Sequence, residues 1–465
     1  MTRSHPLDPT ILREYDIRGV VDESFGEADV RALGRAFGSL VRRGGGRSLA
    51  VGYDGRESSV RLADALIEGL ISTGITVKMI GLGPTPMMYY AVHELATDGG
   101  LMITGSHNPP EYNGLKMMLG TKPFYGAQIQ NLGEMTAKGD FESGEGVIEP
   151  VDLFDRYIER LARDFDPLPE DAVPIDVGWD PGNGAAGDAV AALVKKLPGR
   201  HLVINETIDG RFPNHHPDPT VEKNLEQLKA LVKAENLSLG LAFDGDGDRI
   251  GAVDRHGRVV WGDQLLLVLA RHLLATQPGV PIIADVKASQ MLFDGIRDAG
   301  GLPEMWKTGH SLIKARMSEV GAPLAGEMSG HIFYKDRFYG HDDGLYAAIR
   351  LLNAIAAQGG DLAALRDAMP QLVNTPELRF PCAEERKNPV IEGVRARLQE
   401  QGAKIIDVDG VRVITDDGWW LLRASNTQDV LVARVESHDE AGLLRLKGLL
   451  RDQLVLSGIT PPEDL

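Results

Sequence analysis

The chain runs to 465 residues, enough for about three domains of ordinary size. Lys and Arg total 49 against 67 Asp and Glu, a formal charge of −18, which argues against wrapping nucleic acid or coating an anionic membrane. One cysteine, Cys382, excludes an intrachain disulfide and any zinc site built on several thiolates. With 43% hydrophobic and 25% charged residues, no N-terminal apolar h-region and no apolar run near 18 residues, the composition reads as a globular, cytoplasmic, multidomain protein.

In chain order, short apolar runs alternate with helical stretches and end in glycine-rich turns. Ser48 to Asp54 reads as a buried strand ending in an aspartate, followed by a helix over Val60 to Thr73, a strand over Val77 to Ile80 and another over Gly100 to Thr104. The unit recurs as Val173 to Asp180, a helix over Ala185 to Leu197, then strands over His201 to Asn205 and Leu239 to Phe243. A third copy uses Ile282 to Asp285, Leu302 to Trp306 and Pro323 to Ala325. Alternating strands and helices imply largely parallel sheets covered on both faces. From about residue 371 the pattern changes to short antiparallel strands (Val411 to Thr415, Trp419 to Ala424, Val430 to Glu436) and a helix near Glu440 to Leu456. The expectation is three similar α/β domains with mainly parallel mixed sheets (1–153, 154–256, 257–370) and a smaller α+β domain (371–465), around a central cleft. Trp419-Trp420 reads as core and rim of the small sheet.

Ligands of parallel α/β sheets bind beyond the carboxyl ends of the strands. Three equivalent loops stand there: Thr104-Gly-Ser106-His-Asn-Pro-Pro110, Asp244-Gly-Asp246-Gly-Asp248-Arg249 and Gly326-Glu327-Met-Ser329-Gly-His331. Each carries a different polar set, so one shared site is the economical reading. Three carboxylates alternating with glycine can converge on a hard cation, and an oxygen-only set favours Mg²⁺ over zinc. An EF-hand would need Gly and Glu where this chain has Arg249 and Arg255. A solvated acidic turn is the bland alternative. Ser106 alone could be a helix cap; opposite a metal loop it becomes a nucleophile candidate, whose phosphoryl group would complete the cation's coordination.

Gly182-Asn-Gly184-Ala-Ala-Gly187 matches a dinucleotide fingerprint, with Glu206 about 20 residues on, but Asp180-Pro181 intervenes after the strand and a lone match is weak. In the tail, Arg423-Ala-Ser425-Asn426-Thr427, with Arg434 beyond, suits a phosphate dianion. A turn with an exposed salt bridge is the competing reading there.

These four loops, in this order, resemble the signature loops of the α-D-phosphohexomutases, most closely the bacterial phosphomannomutase/phosphoglucomutase type. The likeness extends to Tyr15-Asp-Ile-Arg18-Gly19 and Asn113-Gly-Leu-Lys116. Gly105 stands where the family often has Ala, which implies a more mobile serine loop. The resemblance implies reversible phosphoryl transfer between the 1- and 6-positions of mannose and glucose phosphates, by way of phosphorylated Ser106 and a hexose 1,6-bisphosphate. It implies one Mg²⁺ per chain on Ser106, Asp244, Asp246 and Asp248, and hexose 1,6-bisphosphate as activator. Lys116, Arg249 and His331 join Ser106 as the expected catalytic set, Lys116 being the preferred acid/base because arginine holds its proton. Tyr15, Arg18, Lys287, His310, Glu327, Ser329, Arg423, Ser425, Asn426, Thr427 and Arg434 are the expected substrate contacts. Glu327 and Ser329, two apart in an extended stretch, would share one side and meet the 3- and 4-hydroxyls of the sugar. Met328 and the Ser-Asn-Thr run favour the mannose/glucose type over phosphoglucosamine mutase. A metal-dependent phosphatase and a non-catalytic sugar-phosphate sensor are the rival classes. The expected partners are small hexose phosphates, with no nucleic acid and no membrane, in a monomer or homodimer.

Overall fold

Six strands order the first sheet along its main path: Ile17–Val20, Tyr112–Leu119, Gly99–Ile103, Ser48–Tyr53, Thr76–Leu82 and, at the far edge, Ile148–Pro150. The computed structural model describes residues 4–167, 174–426, 428–462 and 465. Gly99–Ile103, Ser48–Tyr53, Thr76–Leu82 and Ile148–Pro150 run parallel; Tyr112–Leu119 returns antiparallel beside Gly99–Ile103. The second sheet repeats the plan, with Val177–Asp180 between His201–Val203 and Leu239–Phe243, and Ile250–Asp254 returning antiparallel. So does the third, with Pro281–Asp285 between Leu302–Trp306 and Leu324–Gly326, and Ile332–Tyr334 returning. All the paired strands of the fourth sheet are antiparallel.

The expected strands are present within a few residues, the second unit opening at Val177, with Val173 outside the described residues. The mixed character expected of the sheets comes from an antiparallel strand that returns after each functional loop. It follows from the loop: after each functional turn the chain is beside the strand it has just left, and a short connection can pair it only in the opposite direction. Each functional loop is therefore pinned at both ends by neighbouring strands of one sheet.

One apolar core continues from the helix Thr85–Glu94 through the second and third sheets, holding Trp179, Phe243, Leu266 and Tyr346. The other face of the first sheet has its own core. The fourth domain is separate: Trp420, Leu422, Val435 and Leu450 pack its sheet on its own helices. It meets the third domain over a small apolar seam of Val286, Trp419 and Leu421. Trp419 is thus not at the rim. Its ring is 1% exposed, its Nε1 donates to Glu436 at 2.7 Å, and the buried Arg412 guanidinium lies 3.6 Å over it. Arg412 also donates to the carbonyls of Val286 and Ala288 at 2.7 and 2.8 Å, so the seam grips the chain on both sides of Lys287. Among the described residues no helix is long and apolar enough to cross a membrane.

Candidate active site

The three strand-end aspartates noted in the sequence share one task. Asp54 accepts from Gly105 N at 3.1 Å, fixing the start of the serine loop. Asp180 accepts from Gly182 N at 2.9 Å and from His215 Nε2 at 2.9 Å, and the turn it holds donates from Ala185 N to Gly245 O, between two of the acidic residues. Asp285 accepts from Met328 N at 3.0 Å in the third loop. The fingerprint-like glycines are explained by packing: a Cβ on Gly187 would lie 1.9 Å from the carbonyl of Glu206, and one on Gly184 2.8 Å from that of Gly245. The turn is a buttress for the acidic loop.

Ser106 is 2% exposed, and its backbone is left-handed at φ 51°. A non-glycine residue persists there only when its surroundings hold it. Its N–H donates to Thr104 Oγ1 at 2.8 Å, and Arg56 clamps the carbonyls of Ser106, Asn108, Pro109 and Tyr112 at 2.6 to 3.1 Å. A Cβ on Gly105 would sit 2.5 Å from the Arg56 guanidinium. The expectation of a mobile loop fails for that reason: Gly105 is the space through which the clamp reaches. Arg56 escaped the sequence reading because a lone arginine two residues after Asp54 carries no motif.

The Ser106 hydroxyl lies 3.3 Å from Asp244 Oδ2 and 3.2 Å from His107 Nδ1. Asp244, Asp246 and Asp248 are all 0% exposed, and one oxygen of each falls within 4.8 Å of the others. Lys116 Nζ donates to Asp246 Oδ2 at 2.7 Å and to Asp248 Oδ2, while Thr85 Oγ1 donates to Asp246. Oδ1 of Asp246 and Oδ1 of Asp248 are buried without a hydrogen-bond partner. Buried carboxylate oxygens with nothing to accept from are costly unless a cation meets them. An all-oxygen donor set of this kind fits Mg²⁺. Burial, then the neighbouring Asp248 and Asp246, drives the Asp244 carboxyl well above the usual range. Burial works against Lys116, yet Asp246 and Asp248 outweigh it and hold its ammonium above the ordinary lysine value.

Arg249 and His331 join the second and third loops through an isolated backbone bridge. Arg249 Nε donates to His331 Nε2 at 2.9 Å, and its Nε lies 3.8 Å from Asp244. His310 stacks on His331 with centroids 5.5 Å apart, and Tyr15 meets His310 edge-on. Burial first, then Lys314, keeps the His310 pKa well below its ordinary value.

Glu327 is 4% exposed and accepts from Gly309 N at 2.7 Å; Ser329 is half-buried. They do not share an extended stretch. Gly330 N donates to Glu327 O at 3.0 Å and Gly330 takes φ 88°, so Glu327 to Gly330 is the tight turn between two antiparallel strands.

The fourth domain contacts the first and third domains beside this site. Tyr15 donates to Thr308 O at 2.6 Å and receives a hydrogen bond from Asn426 Nδ2, tying the first, third and fourth domains together. Asp409 Oδ2 accepts from Arg423 Nε at 2.9 Å and from Thr308 N at 3.0 Å. Ser425 is buried beside them; Thr427 lies outside the described residues. Lys287 pairs with Glu377 at 3.1 Å, and Arg18 bonds Asn108 at 3.1 Å and Asp16 at 2.5 Å. Arg434 is placed elsewhere. Its guanidinium is buried in the seam, donating to Lys287 O, touching Met328 Sδ and lying 3.5 Å from Asp263. The strand pleat turns it to the third domain, against Met328 of the third loop, with its Nε buried and without a hydrogen-bond partner.

Four family models cover the chain in order: the phosphoglucomutase/phosphomannomutase α/β/α domains I (residues 9–143), II (155–257) and III (261–373), and the C-terminal domain (377–453). A Pseudomonas aeruginosa protein named phosphomannomutase/phosphoglucomutase is 44% identical over 448 residues, 96% of each chain. A Neisseria gonorrhoeae phosphoglucomutase is 40% identical over 94% of this chain and 95% of its own. A crystal structure of a phosphoglucomutase/phosphomannomutase family protein from Burkholderia thailandensis superposes with a TM-score of 0.91 at 42% identity, covering 97% of this chain and 98% of that one. With all four domain models matched in order along its length, the chain belongs to the phosphoglucomutase/phosphomannomutase family.

Proposed function

We propose that this chain is a hexose-phosphate mutase that moves phosphate between the 1- and 6-oxygens of glucose and mannose phosphates, through phosphorylated Ser106 and a hexose 1,6-bisphosphate. The observation that carries the reading is the convergence of three loops: the Ser106 hydroxyl stands 3.3 Å from Asp244, and Arg249 bridges that loop to His331 of the sugar-facing turn. The names borne by the Pseudomonas and Neisseria relatives support it.

In the first transfer a sugar hydroxyl oxygen bonds to the phosphorus carried by Ser106 and the serine oxygen leaves. His331 is the better proton acceptor than Lys116, because Lys116 is fixed as an ammonium between two carboxylates. Its Nε2 already accepts from Arg249, so Arg249 must turn to the phosphoryl oxygens for that lone pair to reach the sugar. In the second transfer the released serine oxygen takes the other phosphoryl group, and the proton held at Nε2 returns to the freed sugar oxygen. Asp244, Asp246, Asp248 and the Ser106 oxygens would hold Mg²⁺, which would supply charge neutralisation for the transferring group. Arg423, Ser425, Asn426 and Thr427 hold the distal phosphate, and the Tyr15 contacts keep the fourth domain closed while the intermediate turns over.

Glu327 and Ser329 read the 3- and 4-hydroxyls, at which glucose and mannose are identical. A site that reads shared hydroxyls leaves no partner unpaired by the wrong epimer, so kcat/KM on the two should agree within about tenfold. The test is a coupled assay with mannose, glucose and glucosamine 1-phosphates on wild type and Glu327→Ala. Comparable rates on the first two, reduced by similar factors in the variant, are expected. A preference beyond about a hundredfold would show that carbon 2 is read. Free phosphate without isomerised sugar would identify a phosphatase instead.

A further inference from the structure

Asp342 stands behind His331, beside the metal loop: one ligand atom each of Asp248, His331 and Asp342 lies within 4.8 Å of the others, and Asp248 Oδ1 is 3.7 Å from His331 Nδ1, a longer approach than that of Asp342. Asp342 closes the strand His341–Asp342, which pairs with Ile332–Tyr334 in the register Phe333↔Asp342. His331 lies two residues before Phe333, on the same side of the pleat, and their rings stack 6.1 Å apart. Asp342 Oδ2 faces His331 Nδ1 at 2.9 Å and Oδ1 accepts from Lys314 Nζ at 2.8 Å. Asp342 is 0% exposed and Lys314 8%, the ammonium also lying 4.3 Å over the ring of Tyr89. His310 also stacks on the imidazole, with its Nδ1 3.7 Å from Asp342 Oδ2.

The donors and acceptors leave one neutral arrangement. A guanidinium cannot accept, so the nitrogen facing Arg249, Nε2, carries a lone pair. A carboxylate cannot donate when ionised, so the nitrogen facing Asp342, Nδ1, carries the hydrogen. Lys314 can only donate, which keeps an ionised oxygen of Asp342 turned to it.

We propose that Asp342, held ionised by Lys314, is a positioning residue that fixes His331 in the Nδ1–H form and thereby presents the Nε2 lone pair to the substrate hydroxyl. The proposal rests on the reading of His331 as proton acceptor. Its physics is general: a carboxylate behind an imidazole sets the tautomer and the ring orientation. An asparagine at 342 would have to turn its carbonyl to Lys314, because that lysine is donor-only. Its NH₂ would then point at Nδ1 and drive the proton to Nε2, where it blocks both Arg249 and the substrate. The same kind of change in a Ser-His-Asp triad lowers kcat by about 10⁴.

The experiment records ¹⁵N spectra of histidine-labelled full-length enzyme, with the His331 resonances assigned by their loss in His331→Gln, alongside steady-state kinetics. In the wild type, His331 should show a protonated Nδ1 and an unprotonated Nε2; the reverse would overturn the proposal before any variant is made. Asp342→Asn should reverse the pattern and lower kcat at least about 100-fold, with KM for glucose 1-phosphate within about threefold. The double variant Asp342→Asn/Lys314→Met removes the buried lysine left without its partner and frees the amide to turn its carbonyl to Nδ1. It should regain the Nδ1–H pattern and at least about tenfold of the lost kcat, a recovery that loss of packing would not give. A wild-type-like spectrum and kcat in Asp342→Asn, or a double variant as slow as the single one, would overturn it. Near-normal kcat in His331→Gln would instead defeat the proton-acceptor reading, while the spectra still decide the tautomer.

Discussion

Replacing Arg56 with methionine should release the serine loop. The side chain is 2% exposed and donates to four backbone carbonyls, those of Ser106, Asn108, Pro109 and Tyr112, besides the Asp54 carboxylate at 3.2 Å. Removing one member of a buried ion pair costs about 3–5 kcal/mol because the other charge is stranded. Adding about 1–3 kcal/mol for each abandoned carbonyl would far exceed that, but the loop can escape to water and rescue most of them. The expected loss is therefore about 4 kcal/mol, which for a unit of 150–250 residues lowers Tm by about 8–16 °C. Escape also removes the restraint that holds Ser106 at φ 51° beside Asp244, and a misplacement of about 1 Å can cost about 100-fold in rate. Scanning calorimetry and kcat on one preparation test both effects. The Mg²⁺ concentration for half-maximal activity should rise as well, since the displaced Ser106 oxygens belong to the proposed ligand set. A variant melting within about 3 °C of wild type, with kcat within about threefold, would refute the clamp.

Two further outcomes are expected. Chelation should abolish turnover and Mg²⁺ restore it, and Asp246→Asn, which removes one of the two unpartnered buried oxygens' charges, should raise the Mg²⁺ requirement at least about tenfold in a titration of kcat. Asp343 caps the helix Gly344–Ala357, accepting from Tyr346 N and Tyr157 Oη at 2.9 Å each, and burial pushes its pKa up to about 7. A raised carboxyl stabilises fully below its unfolded value of about 4, and that contribution is lost as pH climbs through the folded value. Asp343→Asn, which cannot ionise, should therefore gain in Tm relative to wild type from pH 5 to pH 8; a constant difference across that range would show that Asp343 does not titrate there.

The repeated unit was legible because buried parallel strands leave continuous apolar runs such as Leu49-Ala-Val51 and Leu239 to Phe243, each ending where glycine and aspartate take over. The metal loop was legible for a related reason: alternation of Asp and Gly has little structural use after a buried strand. Less could be read where function depends on contacts between domains. Arg434 looked like a phosphate ligand by its place near Arg423, yet the register of its strand aims it into the seam toward Asp263 and Lys287. Glu327 and Ser329 looked extended because the turn is made by Gly330, whose positive φ is invisible in a run already rich in glycine. Arg56, Asp342 and Lys314 carry no motif at all. Each acts on a partner 11 to 50 residues away or more, through bonds that only the folded sheets create.

The central claim is that the phosphoryl group travels through Ser106, and one labelling measurement addresses it directly. Enzyme carrying ³²P on Ser106, verified by its loss in Ser106→Ala, is mixed with one equivalent of unlabelled glucose 1-phosphate in the presence of Mg²⁺ and quenched early. The account predicts label in hexose 1,6-bisphosphate at the first time point and in glucose 6-phosphate soon after, with sub-stoichiometric bisphosphate able to recharge unphosphorylated enzyme. Label appearing as inorganic phosphate, or isomerisation proceeding while the label stays on the protein, would contradict it.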